Sequence, residues 1–411
     1  GNHPTSEDTL PWYYVLILEN CNENELSQES FLLNILVLNY EYPPLGGGAA
    51  PVAQQLCELY ASHGHKLTVL TMGYKGLPAR ETTPSGITII RVPAWRKHQA
   101  TCETPEMLSY VVSALPRLIR MLRSKQYDII HTHFIVPTGL LAYLATRIVN
   151  IPYVITAHGS DIPGYNNDRF TFEHRFLTPL LRHIANKAAS LTAPSLFLKG
   201  LIEKNLGIDG VRYIPNGIFP ERFSPGVKEK KILMAGRLLP RKGFQHVLEA
   251  MKGLDTDFEI HIAGDGPLRE TLEDTAGSIS VPVVFHGWVP QNSDLLNHLF
   301  ATASIFCMPS SKENASIALL EAMASEMAVV TSNVSGCPET VGDTGRVVSP
   351  GDVEALRTVL HELTQNDDVR VQLGKGARAR VEEHFDWHRI GVQFLELFEE
   401  VISNKVNKVK T

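Results

Sequence analysis

Nowhere does the chain hold the roughly 20 consecutive apolar residues that a membrane-spanning helix needs. Cysteine is sparse as well. Cys21, Cys57, Cys102, Cys307 and Cys337 are odd in number and scattered, and no pair stands at metal-ligand or redox spacing. That argues against a disulfide framework or a zinc module and points to a reducing, cytoplasmic setting. Basic residues are missing from the first 33 positions, which carry six acidic side chains and no Lys or Arg. The apolar stretch LPWYYVLILEN at 10–20 therefore lacks the basic flank of a secretory signal. It reads as an added edge strand, a leader or a loose arm. Residues 1–33 are set apart as an N-terminal extension of unknown role.

What remains is ordinary globular material: 411 residues, 44% apolar and 20% charged, enough for two domains. Charge is unevenly spread. Residues 34–225 carry 19 basic and 12 acidic side chains, +7, whereas residues 226–411 carry 19 basic and 26 acidic, −7. Two units with different partners fit that asymmetry, and so do two solvated surfaces.

From residue 34, short apolar runs alternate with helical stretches: NILVLNY, KLTVLTM, ITIIRVP, DIIHTHF, PYVITAH, SLTAPS and VRYIPNG. A stretch rich in Pro, Gly and charge, FPERFSPGVKEK at 219–230, reads as a linker. The pattern then restarts with KILMAGR, FEIHIAG, VPVVFHG, SIFCMPS and MAVVTS. Alternation of this kind predicts two doubly wound α/β domains, over 34–224 and 225–385. A last helix, within 386–411, has no strand after it. In such sheets ligands bind beyond the carboxyl ends of the strands.

Three loops stand at such ends. GGGA, Gly46–Ala49, allows close approach of a ligand to bare backbone beside a helix start. It is not a G-x-G-x-x-G dinucleotide fingerprint, whose spacing and downstream acid are missing. A plain turn fits it equally well. AGRLLPRKG, 235–243, brings Arg237 and Lys242 to a strand end, where a fork and a point charge suit a diphosphate. The third is SSKENASIALLEAMAS, 310–325, with Glu313 before a helix and Glu321 on its second turn. Ser316 is placed as N-cap, so the N–H groups of Ser316, Ile317 and Ala318 point toward an anion.

Glu313 and Glu321, spaced E-x7-E and followed by AMA, resemble the signature of the group 1 retaining glycosyltransferases (glycosyltransferase family 4, GT-B fold). The resemblance extends from about residue 34 to 400 through YPPLGGGA, HTHF, ITAHGSD, APS, YIPNGI, AGRLLPRKG, IAGDGP, FHGWVP and SGCPETV. It implies two Rossmann-like domains facing a central cleft, the first binding the acceptor and the second the nucleotide sugar. It also implies that the last helix returns to the first domain. By the same resemblance Glu321 binds the nucleotide ribose and Glu313 the transferred sugar. Arg237 and Lys242 hold the diphosphate, with Gly47 and Gly48 closing on it. His158 stands near the anomeric carbon, with Asp161 a weaker candidate beside it. The turn at Asn216 and Gly217 is structural.

The expected donor is a UDP-sugar, with GDP- and ADP-sugars as alternatives, and the product an α-glycoside. No metal and no cofactor are called for, since no Asp-x-Asp pair stands in an obvious position. Sugar, lipid-linked and small-molecule acceptors all fit; a nucleic-acid partner does not. A sugar-nucleotide 2-epimerase and a binding protein without turnover remain as alternatives.

The chain departs from the family pattern in two places. Glu326 and Ala328 stand where Gly and Pro are common, and Asn314, Ala315 and Ser316 where glycines are common. His131 and His133 read as core or crevice-lining residues, and His246, His261 and His286 as structural ones. Finally, LPRLIRMLRSK at 115–125 sets Arg117, Arg120 and Arg123 on one helix face, and HRFLTPLLRHIANK at 174–187 adds a second basic stretch. Together they suit an anionic membrane surface, peripheral on its inner face, and equally a solvated helix face.

Overall fold

The computed structural model of the protein describes residues 32–99, 101–124, 127–165, 171–290 and 293–410. The segment 1–31, with LPWYYVLILEN and Cys21, lies outside them, as do the side chains of 171–176 and 406–410.

The first sheet contains β1 (Asn34–Leu38), β2 (Lys66–Met72), β3 (Arg80–Thr82), β4 (Thr88–Val92), β5 (Ile129–His133), β6 (Tyr153–Thr156), β7 (Ser190–Ala193) and β8 (Arg212–Tyr213). Its order is β3-β4-β2-β1-β5-β6-β7-β8, parallel except for the antiparallel edge pair β3–β4. The second contains β9 (Glu229–Ala235), β10 (Glu259–Ala263), β11 (Val283–Gly287), β12 (Ala303–Met308), β13 (Ala328–Ser332) and β14 (Gly345–Val348), ordered β11-β10-β9-β12-β13-β14. The short strands β3 and β14 are additions to the strands read from the sequence. Both are edge strands, where a brief run carries little apolar signal.

Each sheet is buried on both faces, which is why its strands read as continuous apolar runs. Along β1, Leu36 and Leu38 pack toward helix Thr104–Ser124, while Ile35 and Val37 pack on helix Ala49–Ser62 and on helix Trp387–Lys410. The last helix thus lays Trp387, Ile390, Phe394 and Phe398 on the first sheet. Trp387 Nε1 donates to Gln55 Oε1 at 2.5 Å.

Two segments cross between the sheets side by side. Ile218 N donates to Phe385 O at 2.8 Å, and Trp387 N donates to Ile218 O at 3.0 Å. A Cβ on Gly217 would lie 2.8 Å from both Ile390 Cδ1 and Trp387 Cδ2, so only glycine fits this crossing.

In each sheet the strand order reverses once, between β1 and β5 and between β9 and β12. Those switch points hold the loops that follow β1, β9 and β12, so the topology brings the three candidate loops to two facing crevices.

The turn that feeds β13 carries one cost. Glu326 takes φ 57, a left-handed conformation that an L side chain tolerates poorly, at about 1–2 kcal/mol. We expect Glu326→Gly to stabilise the protein. The extra chain entropy of glycine removes about 0.5–1 kcal/mol of that relief. The loss of a carboxylate near half-buried Lys228 removes a little more. A net gain of about 0.5 kcal/mol should raise the midpoint of thermal unfolding by about 1–2 °C. A lower midpoint would show that the carboxylate outweighs the backbone strain.

Candidate active site

The facing carboxyl ends enclose a cleft of about 560 Å³, bordered by Gly47, Gly48 and His158 from the first domain and by Arg237, Lys242, Glu313, Ser316, Ile317 and Ala318 from the second. Of the residues expected at the ligand, Glu321 and the weaker candidate Asp161 do not border it. Glu321 sits on the second turn of helix Ile317–Ala324, half-buried.

Ser316 has the extended backbone of an N-cap, but its hydroxyl does not cap the helix; Oγ faces Met308 Sδ at 3.6 Å. The side-chain part of the N-cap expectation is therefore corrected. The first N–H groups of this helix are not engaged by that hydroxyl, and they face the cleft side.

Glu313 and Lys242 pair with each other across the loops after β12 and β9, each side chain about four-fifths buried. Arg237 is exposed at the cleft edge. Its loop packs against the next one so closely that a Cβ on Gly264 would stand 1.8 Å from Gly236 O. The arrangement leaves two cations and a helix start around one space, a setting that favours an anion.

On the opposite wall, Gly46 takes φ 97 and folds the glycine loop over Glu41. Glu41 Oε2 accepts from Gly47 N at 3.4 Å, and Oε1 lies 3.5 Å from Arg96 Nη2. The N–H of Gly47 is thus engaged by Glu41 rather than left for a ligand. A Cβ at Gly47 or Gly48 would meet nothing within 4 Å. Nothing in the protein's own packing requires glycine there.

Asp161 is more than a bystander. Its Oδ2 accepts from Ile135 N at 2.8 Å, and Oδ1 accepts from Gly159 N at 3.1 Å and His158 N at 3.2 Å. It binds the loop after β5 to the loop after β6, although burial pushes its carboxyl above the usual range. Phe134, between them, is held at φ 77, a strained conformation for an aromatic residue and one that marks functional loops. His158 packs on Phe134 with ring centroids 4.7 Å apart, and its Nε2 lies 3.0 Å from His133 Nδ1.

Three residues that tie the domains together escaped the sequence reading. Asn314 Oδ1 accepts from Ser195 Oγ at 2.5 Å, and Asn314 Nδ2 donates to His158 O at 3.4 Å. Glu339 accepts from Leu196 N at 2.9 Å and Phe197 N at 3.5 Å, so a carboxylate of the second domain caps helix Leu196–Leu206 of the first. The available signal was Asn314 itself, a polar residue where glycine is common.

His261 and His286 are partners, Nδ1 to Nε2 at 3.0 Å, and His261 Nε2 also lies 3.3 Å from Glu259 Oε2. Asp255 and Asp257 form an Asp-x-Asp pair in the sequence, but they precede β10 at the far rim, and Asp257 is paired with Lys230. A larger groove of about 880 Å³ opens at the far rim of the first sheet. Its Arg212 and Glu400 neutralise each other, and no strand carboxyl end reaches it.

Residues 218–380 match the family model described as glycosyl transferases group 1, and residues 46–222 match that of Glycosyltransferase Family 4. An uncharacterized glycosyltransferase of Methanocaldococcus jannaschii is 28% identical over 89% of this chain and 98% of its own length. The N-acetyl-alpha-D-glucosaminyl L-malate synthase of Bacillus anthracis is 25% identical over 89% and 97%. In structure, the sucrose-phosphate synthase of Thermosynechococcus elongatus is similar with a TM-score of 0.78, at 20% identity over 90% of this chain and 100% of the other. The Anabaena protein HepE in complex with UDP-glucose follows with 0.67, at 16% identity over 90% and 100%.

Burial lowers the pKa of His131, His133 and His158, to about 3 for the first and last. All three are neutral in the fold near pH 7, whereas the unfolded chain takes up their protons below about pH 6.5. Stability should therefore fall as pH drops from about 6.5 toward 3, by up to about 1.4 kcal/mol per unit for each histidine. Denaturant melts at pH 7, 6 and 5 read this directly. A flat profile would mean that these rings protonate freely in the folded protein.

Proposed function

The chain belongs to the group 1 glycosyltransferases, and from that premise we propose that it moves a hexosyl group from a nucleotide-diphosphate sugar to an acceptor hydroxyl, forming an α-glycoside. Its two facing α/β sheets are the GT-B fold. The observation that carries the proposal is the meeting of Arg237, Lys242 and the start of helix Ile317–Ala324 with Gly47, Gly48 and His158 in one cleft.

In this reading the diphosphate lies against Arg237, Lys242 and the helix start. Negative charge grows on the leaving phosphate, and fixed donors aimed there stabilise that charge as the sugar departs. Without donor, Lys242 and Glu313 hold each other. Phosphate draws Lys242 away and frees the Glu313 carboxylate to accept sugar hydroxyls. Glu321, on the same helix, accepts from the ribose. Of the carboxylates near the reacting centre, Glu41 and Asp161 are engaged as acceptors of backbone N–H groups, and Glu313 is given to the sugar hydroxyls. That supports departure and attack on one face over a covalent glycosyl-enzyme. HepE was solved with UDP-glucose, which favours UDP-sugars as the first donors to try.

The test is a panel of UDP-, GDP- and ADP-sugars, scored by thermal shift and then by turnover in EDTA. One donor should stabilise the protein by about 2.7 kcal/mol at 100 times its Kd. Arg237→Ala and Lys242→Ala should lower kcat more than they raise KM. Gly48→Ala should keep the melting point and lose turnover, because its methyl group enters the cleft. Activity abolished by EDTA and restored by a divalent ion would overturn the metal-free reading.

The acceptor side supports a lipid-linked substrate. Trp95, Leu108 and Val112 are exposed by 59, 57 and 75%, beside exposed Arg120 and Arg123 on the same helix. Met107, on that helix, borders the cleft. An apolar tip followed by a basic stripe suits a membrane surface. The second basic stretch contributes less, because Arg182 Nε donates to Leu206 O at 2.5 Å at the end of helix Leu196–Leu206. Sedimentation with anionic vesicles should capture the protein at low salt. Replacing Trp95, Leu108 and Val112 by Ser, or Arg117, Arg120 and Arg123 by Gln, should release it. Equal recovery with neutral and anionic vesicles would sink the membrane reading.

A further inference from the structure

The loop that carries His158 leans on a residue to which the proposed reaction gives no role. His133 ends β5, is fully buried, and stacks on His158 with ring centroids 5.2 Å apart at 22°. The two imidazoles share one hydrogen bond, His133 Nδ1 to His158 Nε2 at 3.0 Å. Each ring is neutral at working pH, because burial depresses both. A neutral pair has two possible arrangements, and they differ in which group is stranded. His133 Nε2 is buried with no hydrogen-bond partner. If His158 Nε2–H were the donor, His133 would carry its own proton on Nε2 and bury an unmatched N–H. If His133 Nδ1–H is the donor, only a lone pair is stranded at Nε2. Orphaned buried N–H groups are rarer than under-used acceptors, so the second arrangement wins.

We infer that His133 is a positioning residue that fixes the tautomer of His158: His133 Nδ1–H donates to His158 Nε2, so His158 keeps its proton on Nδ1. His158 then meets the cleft as a hydrogen-bond donor. It does not act as a base, since its one lone pair is already taken. The strained backbone of Phe134 and the Asp161 bridge hold the two rings in this register. A donor at this place suits a sugar hydroxyl oxygen, whose lone pair it can engage to orient the ring for departure of the phosphate. The inference rests on the cleft being the site of transfer, but its first readout needs no turnover.

That readout is long-range 1H–15N correlation on the full chain labelled with 15N-histidine, with a His158→Gln sample to assign the signals. The expected spectrum has the His158 proton on Nδ1 and a bare Nε2. A proton on His158 Nε2 would overturn the inference even if transfer activity is intact. The second readout is kinetic. Asn at 133 places an amide N–H near the position of Nδ1, whereas Leu fills the space and donates nothing. His133→Leu should lower kcat about 10–100-fold, the usual effect of removing a group that orients a ligand-contacting residue. KM for the sugar nucleotide and affinity for UDP should stay within about twofold. His133→Asn should recover most of that loss. Equal loss in Asn and Leu, at equal melting points, would reduce His133 to a packing residue. Should both variants unfold, the spectrum of the unaltered protein still decides.

Discussion

The two sheets that wall the cleft are joined by two backbone hydrogen bonds that lie outside it. Ile218 exchanges them with Phe385 and Trp387, so the chain's outward and return crossings between the sheets run as one narrow ribbon. The crowding around Gly217 keeps the crossings in contact along their length.

What the closed cleft contains follows from pairing rules. Lys242 and Glu313 neutralise each other, Glu41 takes Arg96 and a backbone N–H, and Asp161 takes three. Buried charge without a partner is costly, and these groups meet that cost by pairing with one another. The Lys242–Glu313 pair is the clearest instance, because the proposed reaction gives each member a separate task. The cross-domain bonds of Asn314 and Glu339 add a further condition. They form only when the two walls meet, which links the donor loop to the His158 loop.

The strands and the switch-point loops were legible in the sequence because they obey local rules. A strand buried on both faces is a continuous apolar run, and a loop built to admit a ligand carries glycine or charge. Strands β3 and β14 were not, since an edge strand of three or four residues has no periodicity to read. The contacts of Asn314 were hidden for another reason: its partners lie 119 and 156 residues away, beyond any local pattern. His133 and His261 show the limit from a third side. Each bonds a histidine 25 positions later on or after the neighbouring strand, a spacing that means nothing until the strands are aligned. Glu326 was half legible, as a residue standing where glycine is usual, and its φ of 57 supplies the reason glycine is usual there.

The helix Trp387–Lys410 covers a face of a sheet whose strands all precede residue 214. During synthesis the chain emerges from its N-terminal end, and domains ordinarily complete themselves in that order. Here the order is reversed. The second sheet has its strands and helices in hand by about residue 384, while Ile35, Val37, Leu67 and Val69 of the first still lack the Phe394 and Phe398 rings that will cover them. The half made first is finished last. A nascent chain of this protein therefore carries part of this face uncovered until residues 387–398 have been made.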